Sequence, residues 1–297
     1  MNFSGSLENE ARRLIRLALA EDLGDRGDLT TQALISPAQT ASVNIVARQA
    51  GVLAGLRLAP LVFHEIDQAV RFEAHVADGD VLSRGQAVAS LSGRLQSLLV
   101  GERTCLNFLA HLCGIATLTR KFVDAVTGTS AQIFDTRKTL PGWRELEKFA
   151  VRAGGGCNHR MGLFDMVLVK DNHLAAWRAE SADRGVAAAV RAARERAPAG
   201  IAVEVEVDTL EQFADAIAGK PDLVLLDNMS PDELRRAVAW RNERAPAIGL
   251  EASGGITLEN VAEIARTGVE RISVGALTHS PAALDLAFDW AAAQESK

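Results

Sequence analysis

The sequence predicts an α/β protein: a (β/α) barrel preceded by a smaller α+β domain. Three observations carry this. From residue 131 onward, short β-rich runs alternate with amphipathic segments, a rhythm that requires crossovers and therefore parallel strands. Each run ends in polar or glycine residues: Asp135-Thr136-Arg137-Lys138, Lys170-Asp171, Glu206, Asp227-Asn228, Glu251 with Ser253-Gly254-Gly255, and Gly275. A barrel gathers all such ends at one mouth, whereas a doubly wound sheet spreads them along an edge. In VEVEV (203–207), alternation puts Val203, Val205 and Val207 on one face and Glu204 and Glu206 on the other. Two carboxylates on an inner face suit a barrel lumen better than the apolar filling of a sandwich.

The first domain is expected over 1–115, as a sandwich-like α+β unit. Strand signals near Val43–Arg48, Val70–Val76 and Ala87–Leu91 are separated by turns such as Asp78-Gly79-Asp80 and Ser83-Arg84-Gly85, without regular crossovers. DGDVLSRGQAVASLSG resembles the hairpins of biotinyl or lipoyl carriers, but no lysine lies between Met1 and Val100 to carry the group. A long helix from about Gly101 to Val126 follows, with Leu106, Leu109, Cys113 and Ala116 on one stripe, Glu102 and Arg103 at its start and His111 along it.

The barrel is expected over 116–275, with 276–297 packing back on the first domain. Its strands are read at 131–135, 165–170, 201–207, 222–227, 247–253 and 271–275. Leu210, Phe213, Ala214 and Ile217 mark a helix face, and Ser230-Pro231-Asp232-Glu233 reads as a capping box with proline at the first helical position. Thr257 and Ser280-Pro281 are expected to open two more helices.

With 297 residues the chain needs no disulfide staples, and three cysteines without a secretory signal suggest a reducing cytoplasm. No apolar run reaches the roughly 18 residues of a membrane span. A net charge of -6 argues against a general nucleic-acid surface, so any anion site must be a local basic island. That island lies between Arg137 and Lys170. Arg144, Lys148 and Arg152, four apart, read as a charged helix face. Arg137, Lys138, Arg160 and Lys170 abut strand runs or glycines and do not.

Within the island stands GGGCNHR (154–160). Cys157, His159 and His173 offer at most three zinc ligands at irregular spacing, and a Cys157/His159 nucleophile pair lacks an orienting third group. An anion site explains more residues: glycines would expose backbone N–H groups, and His159 and Arg160 would add donors. Ser253-Gly254-Gly255 and Gly275, at the last two strand ends, fit a phosphate pocket.

DTRKTLPGWRELEKFAVRAGGGCNHRMGLFDMVLVKDNHL, with ERTCLNFL, VEVEVD, LLDNM, EASGGI, VGALTHS and EDLGDRGDLTT, resembles the nicotinate-nucleotide pyrophosphorylases, or quinolinate phosphoribosyltransferases, over nearly the whole chain. The resemblance implies an open barrel and a reaction of quinolinate with phosphoribosyl pyrophosphate and Mg²⁺, in NAD biosynthesis. It also implies a homodimer, or a higher oligomer of such dimers, in which Arg103 serves the neighbour's site. By the matching motifs, Arg103, Arg137, His159 and Arg160 would hold quinolinate. Lys138, Lys170, Glu206 and Asp227 would be catalytic and meet phosphoribosyl pyrophosphate, Glu206 and Asp227 would face the metal, and Ser253, Gly254, Gly255 and Gly275 would hold the 5′-phosphate. Two rivals remain: a same-fold phosphoribosyltransferase of other substrate, and a barrel aldolase forming a Schiff base on Lys170.

Overall fold

The computed structural model describes residues 3–179 and 184–290. They fall into two units. The described residues of Met1–Arg120, Thr139–Gly155 and Leu277–Lys297 form one, and Lys121–Lys138 with Gly156–Ala276 form the other.

The first unit holds α1 (Gly5–Leu23), α2 (Leu29–Leu34), β1 (Thr40–Ala47), β2 (Gly51–Val52), α3 (Leu58–Ile66), β3 (Arg71–Ala74), β4 (Val81–Leu82), β5 (Ala87–Arg94) and most of α4 (Leu95–Ala125). Ser4 caps α1 by accepting the Leu7 N–H, and Leu7, Ala11, Leu14, Ile15 and Leu19 form its buried stripe. Strands β1, β5 and β3 pair antiparallel, and the expected stripe of α4 is buried at Leu106, Leu109, Cys113 and Ala116.

In the second unit stand β6 (Gln132–Phe134), β7 (Val167–Val169), α6 (Asp171–Ala179), α7 (Val186–Arg196), β8 (Val203–Val207), α8 (Leu210–Ala218), β9 (Leu223–Asp227), α9 (Pro231–Arg244), β10 (Gly249–Ser253), α10 (Val261–Ala265) and β11 (Arg271–Ser273). The strands form a six-stranded sheet in the order β6-β11-β10-β9-β8-β7, every pair parallel. Cys157 adds a parallel bridge to Phe134, so the chain after the glycines runs beside β6. The capping box is present: Ser230 Oγ accepts the Glu233 N–H while Glu233 accepts the Ser230 N–H.

Three local expectations are corrected. At Thr257 no helix begins: Asn260 Oδ1 accepts the Thr257 N–H and Asn260 Nδ2–H donates to Gly255 O, closing a turn that delays α10 to Val261. Ser280-Pro281 likewise follows a short helix, α11 (Ala276–His279), instead of opening one. Leu284, Leu286 and Phe288 alternate and are buried, and this two-residue period makes Leu286–Trp290 a strand, β12, on the free edge of β1. Finally, Lys148 is fully buried, so the four-residue spacing of Arg144, Lys148 and Arg152 does not mark a solvated face. The helix that carries it, α5 (Arg144–Ala153), also buries Glu147, whose carboxylate lies 2.8 Å from His111 Nε2 and accepts the Leu140 N–H.

Two of the glycines of GGGCNHR belong to packing. Gly154 ends α5, its N–H donating to Ala150 O, and a Cβ there would collide with Ala116 O and come within 2.6 Å of Thr119 Cβ on α4. Gly155 adopts φ +90° and donates to Arg152 O. With their N–H groups spent on the helix end, neither cradles an anion. Gly154→Ala is therefore expected to lower the unfolding free energy by roughly 1–3 kcal/mol, the range for overpacking a tight contact. Urea denaturation reads this directly, and an unchanged midpoint would contradict the packing assignment.

Candidate active site

Pleating fixes which side chains meet. In register, Glu206 and Glu251 both lie opposite Leu225, Glu204 lies opposite Leu168 and Leu223, Ser253 opposite Asp227, and Arg271 opposite Glu251. Residues paired across parallel strands share a face. One face of the sheet therefore carries Glu204, Glu206, Asp227, Glu251 and Arg271, and a chamber of about 310 Å³ opens over it, bordered by Arg137, Lys138, Arg160, Lys170, Leu225 and Ser273. A larger hollow of about 540 Å³ lies in the first unit. There Arg12 already binds Glu8 and Glu65, and Arg57 sits 3.9 Å from Glu8, so its guanidinium charge is balanced internally.

The chamber's charge is not balanced in that way. Burial, and then the positive charge of Arg137, hold the Arg160 guanidinium below its ordinary value. Arg160 Nη1 donates to Met166 O at 3.2 Å, and Arg137 Nε is buried without a hydrogen-bond partner. Deeper in the wall, Lys170 Nζ lies 2.6 Å from Glu206 Oε2. Asp227 is raised by burial and then by the carboxylates of Glu206 and Asp208.

Beneath the arginines is a buried ionic cluster. His159 Nε2 lies 3.1 Å from Glu204 Oε2 and 3.3 Å from Glu251 Oε1, both glutamates being fully buried. Glu251 also meets Arg271 Nε at 2.7 Å and accepts from Ser273 Oγ, while the Arg271 guanidinium stacks 3.9 Å over the Phe134 ring. Buried Asp135 holds the loop from below, accepting the His159 N–H at 2.8 Å and Asn158 Nδ2–H at 2.6 Å. Burial alone would lower His159, but Glu204 and Glu251 outweigh it and lift the ring to about 9. Burial raises Glu204, whereas His159 and Arg271 overcome the same effect at Glu251 and hold it low. One extra proton is thus shared between His159 and Glu204. On the other side of the ring the Arg160 N–H lies 2.7 Å from His159 Nδ1, and the extra proton belongs to the His159–Glu204 pair as a whole. With Arg271 counted, the cluster is neutral either way.

The geometry decides among the readings of GGGCNHR. Cys157 is raised by burial, the opposite of what a thiolate nucleophile needs. His159, expected to grip a substrate carboxylate, instead turns both ring nitrogens to protein groups. His159, Glu204 and Glu251 are metal-ligating types with atoms within 4.8 Å of one another. Yet the nitrogen facing the carboxylates carries the hydrogen they accept.

Family models of the quinolinate phosphoribosyl transferase N-terminal and C-terminal domains match residues 28–113 and 115–289. The chain belongs to the quinolinate phosphoribosyl transferase family. It is 47% identical to the nicotinate-nucleotide pyrophosphorylase [carboxylating] of Mycobacterium leprae, covering 94% of this chain and 96% of that one. A probable enzyme of the same name from Bacillus subtilis is 42% identical, with 97% and 96% covered. The solved nicotinate-nucleotide pyrophosphorylase of Ehrlichia chaffeensis superposes with a TM-score of 0.87 at 36% identity, covering 98% of this chain and 100% of that one.

Of the residues that the family resemblance singles out, Arg137, Lys138, His159, Arg160 and Lys170 border the chamber. Glu206 joins them through Lys170, Asp227 and Ser253 are the last residues of β9 and β10, and Gly254, Gly255 and Gly275 follow the ends of β10 and β11. Arg103 stands exposed on α4, in the other unit. Asp135, Glu204 and Glu251 read from the sequence only as strand-end or lumen residues without a role, and Arg271 and Ser273 are not singled out there. Alternation in GLEAS would have placed Glu251 on the inner face, as it did Glu204, had the two strands been read in register. A family member with this cluster should lose stability at high pH. The contribution is complete below the ordinary histidine value of 6.5 and fades as pH rises through about 9. Unfolding free energies measured from pH 6 to 10 should fall more steeply for the parent than for His159→Asn. Parallel curves would show that the cluster does not titrate as described.

Proposed function

We propose that the chain transfers the phosphoribosyl group of phosphoribosyl pyrophosphate to the ring nitrogen of quinolinate, releasing pyrophosphate and CO₂ and leaving nicotinate mononucleotide. The observation that carries this reading is the pair Arg137 and Arg160: two guanidiniums in one small chamber, one with a buried nitrogen unpartnered, the other depressed by burial and then by its neighbour. Cations so placed call for a ligand with adjacent negative charges, and planar forks match carboxylates.

Arg137 and Arg160 take the two carboxylates of quinolinate and fix its ring edge-on. Lys138 and Lys170 meet the pyrophosphate, whose charge must be offset before two polyanions can approach. As the C1′–oxygen bond breaks, positive charge grows on the ribose, and the Glu206 carboxylate stabilises it. Asp227 holds ribose hydroxyls, while Ser253, Gly254, Gly255 and Gly275 hold the 5′-phosphate. His159 does not bind substrate directly. It fixes Arg160 from behind, through the backbone N–H at Nδ1. Once the nitrogen carries the ribose, the cationic ring accepts the electron pair left at C2 as CO₂ departs, and a proton takes the vacated place.

Mg²⁺ fits Glu206 and Asp227, hard oxygen donors of which Asp227 is raised by burial and then by the charge of Glu206. When bound it would neutralise charge on the leaving pyrophosphate. A Schiff-base role for Lys170 is disfavoured, since that lysine must lose its proton and here its ammonium is paired with Glu206. In keeping with a cytoplasmic setting, all three cysteines are free, and among the described residues no helix is long and apolar enough to cross a membrane.

Incubation of the purified chain with quinolinate, phosphoribosyl pyrophosphate and Mg²⁺ should yield nicotinate mononucleotide, and no product would refute the reading. Nicotinate, which lacks the C2 carboxylate, should bind about tenfold more weakly or worse, because a buried cation is left unmatched. Arg160→Lys should weaken quinolinate sharply and phosphoribosyl pyrophosphate little, while Cys157→Ser should be nearly neutral. Calorimetric titration of both ligands separates these outcomes.

The proposed dimer shares its sites, with Arg103 of each subunit reaching its neighbour's chamber. Mixing inactive Arg103→Ala and Lys138→Ala subunits should then restore activity, since a mixed dimer holds one intact site. Mixed dimers that form yet stay inactive would count against sharing.

A further inference from the structure

Asn228 has been given no task, yet its backbone is out of the ordinary. It follows the last residue of β9 with φ +54°, the left-handed region that residues with side chains disfavour. Such conformations persist only where surrounding contacts fix them, and here three do. The Asn228 N–H donates to Ser253 O at 2.9 Å, tying the end of β9 to the end of β10. Its side-chain Nδ2–H donates to Asp227 Oδ2 at 2.7 Å. That carboxylate oxygen can only accept, which fixes the amide's orientation. The other end of the amide occupies the space that a side chain on Gly254 would need: a Cβ there would overlap Asn228 Oδ1 and lie 2.9 Å from the Asn228 backbone nitrogen. Gly254 itself has φ +88°, so this glycine is required both by its conformation and by the asparagine beside it.

We infer that Asn228 is a positioning residue that sets the direction of the Asp227 carboxylate and its distance from the Ser253-Gly254-Gly255 turn. This rests on the proposed reading of those two elements as the ribose and phosphate ends of one phosphoribosyl site. The chemistry makes such a strut useful. The ribose hydroxyls and the 5′-phosphate belong to one rigid group, so the carboxylate and the turn must be spaced to match it before it arrives. Without Asn228, Asp227 loses a donor to one oxygen and becomes free to turn toward Lys170 or solvent. The turn loses the amide that fills the gap beside Gly254.

The left-handed backbone supplies a clean test, because glycine accepts φ +54° without strain. Asn228→Gly should keep the fold, with a melting temperature close to the parent's, while the affinity for phosphoribosyl pyrophosphate with Mg²⁺ falls about tenfold, the usual scale for losing a hydrogen bond to a charged group. Quinolinate affinity should change less than twofold, which separates positioning from general loosening. Asn228→Asp is isosteric but replaces the donor with a second carboxylate against Asp227, and should be worse than glycine for phosphoribosyl pyrophosphate. Both affinities are measured by calorimetry and compared with KM and kcat. Equal affinity for phosphoribosyl pyrophosphate in parent and Asn228→Gly overturns the inference alone. So does a loss shared equally with quinolinate and accompanied by a lower melting temperature, which marks a merely structural role. A parent that binds no phosphoribosyl pyrophosphate would overturn the underlying functional reading, and this inference with it.

Discussion

A carboxylate sealed from water must find its counter-charges inside the protein, and Glu251 sits at the centre of the solution adopted here. It meets Arg271 Nε at 2.7 Å, accepts from Ser273, and faces His159 Nε2 at 3.3 Å. Arg271 in turn leans on the Phe134 ring, and His159 is held through its backbone by Asp135. A lone buried charge costs several kcal/mol, so none of these groups can be removed without stranding another. The consequence reaches the chamber. The loop from Cys157 to Arg160 is pinned at its backbone and at the His159 ring, and that pinning sets Arg160 in the chamber that Arg137 also borders, despite their repulsion. The two arginines border the chamber above a layer whose buried charges are matched by ion pairs within it.

How far the sequence could be read follows from the range of the interactions involved. Alternation within a strand is local, so the two faces of VEVEV and the polar strand ends were legible, as was the capping box at Ser230. Motifs spaced along the chain located nearly all the chamber's cations. What stayed hidden depends on partners distant in sequence. Leu286–Trp290 looks helical after Ser280-Pro281 until the free edge of β1, some 240 residues earlier, is available to pair with it. Lys148 follows a solvated spacing, yet α5 is buried on that side too. Glu251 was legible as a polar strand-end residue, but its partners became visible only when its strand was set in register with Leu225 and Arg271.

GGGCNHR shows how one motif can mix purposes. Gly154 is small because α4 passes close by, and Gly155 because the chain turns left-handed there. Cys157 extends the sheet at β6 through its backbone, and its side chain enters no ion pair or thiolate chemistry. His159 and Arg160 both border the chamber, and the His159 ring also holds the Arg160 backbone N–H at Nδ1. The glycines resemble a phosphate loop in composition alone. The glycines at the ends of β10 and β11 occupy the place such a loop would need.

The pairing of Lys170 with Glu206 at 2.6 Å implies a coupling between ligands of opposite sign. In the proposed site a phosphate oxygen drawing Lys170 away would leave the more buried Glu206 without its counter-ion. A divalent cation drawing Glu206 away would likewise release Lys170. Either exchange alone sets one charge adrift; both together simply swap partners. Cation and polyanion should therefore enter as mutually reinforcing guests, each raising the other's affinity by the same factor, with the salt bridge acting as the latch that neither opens efficiently by itself.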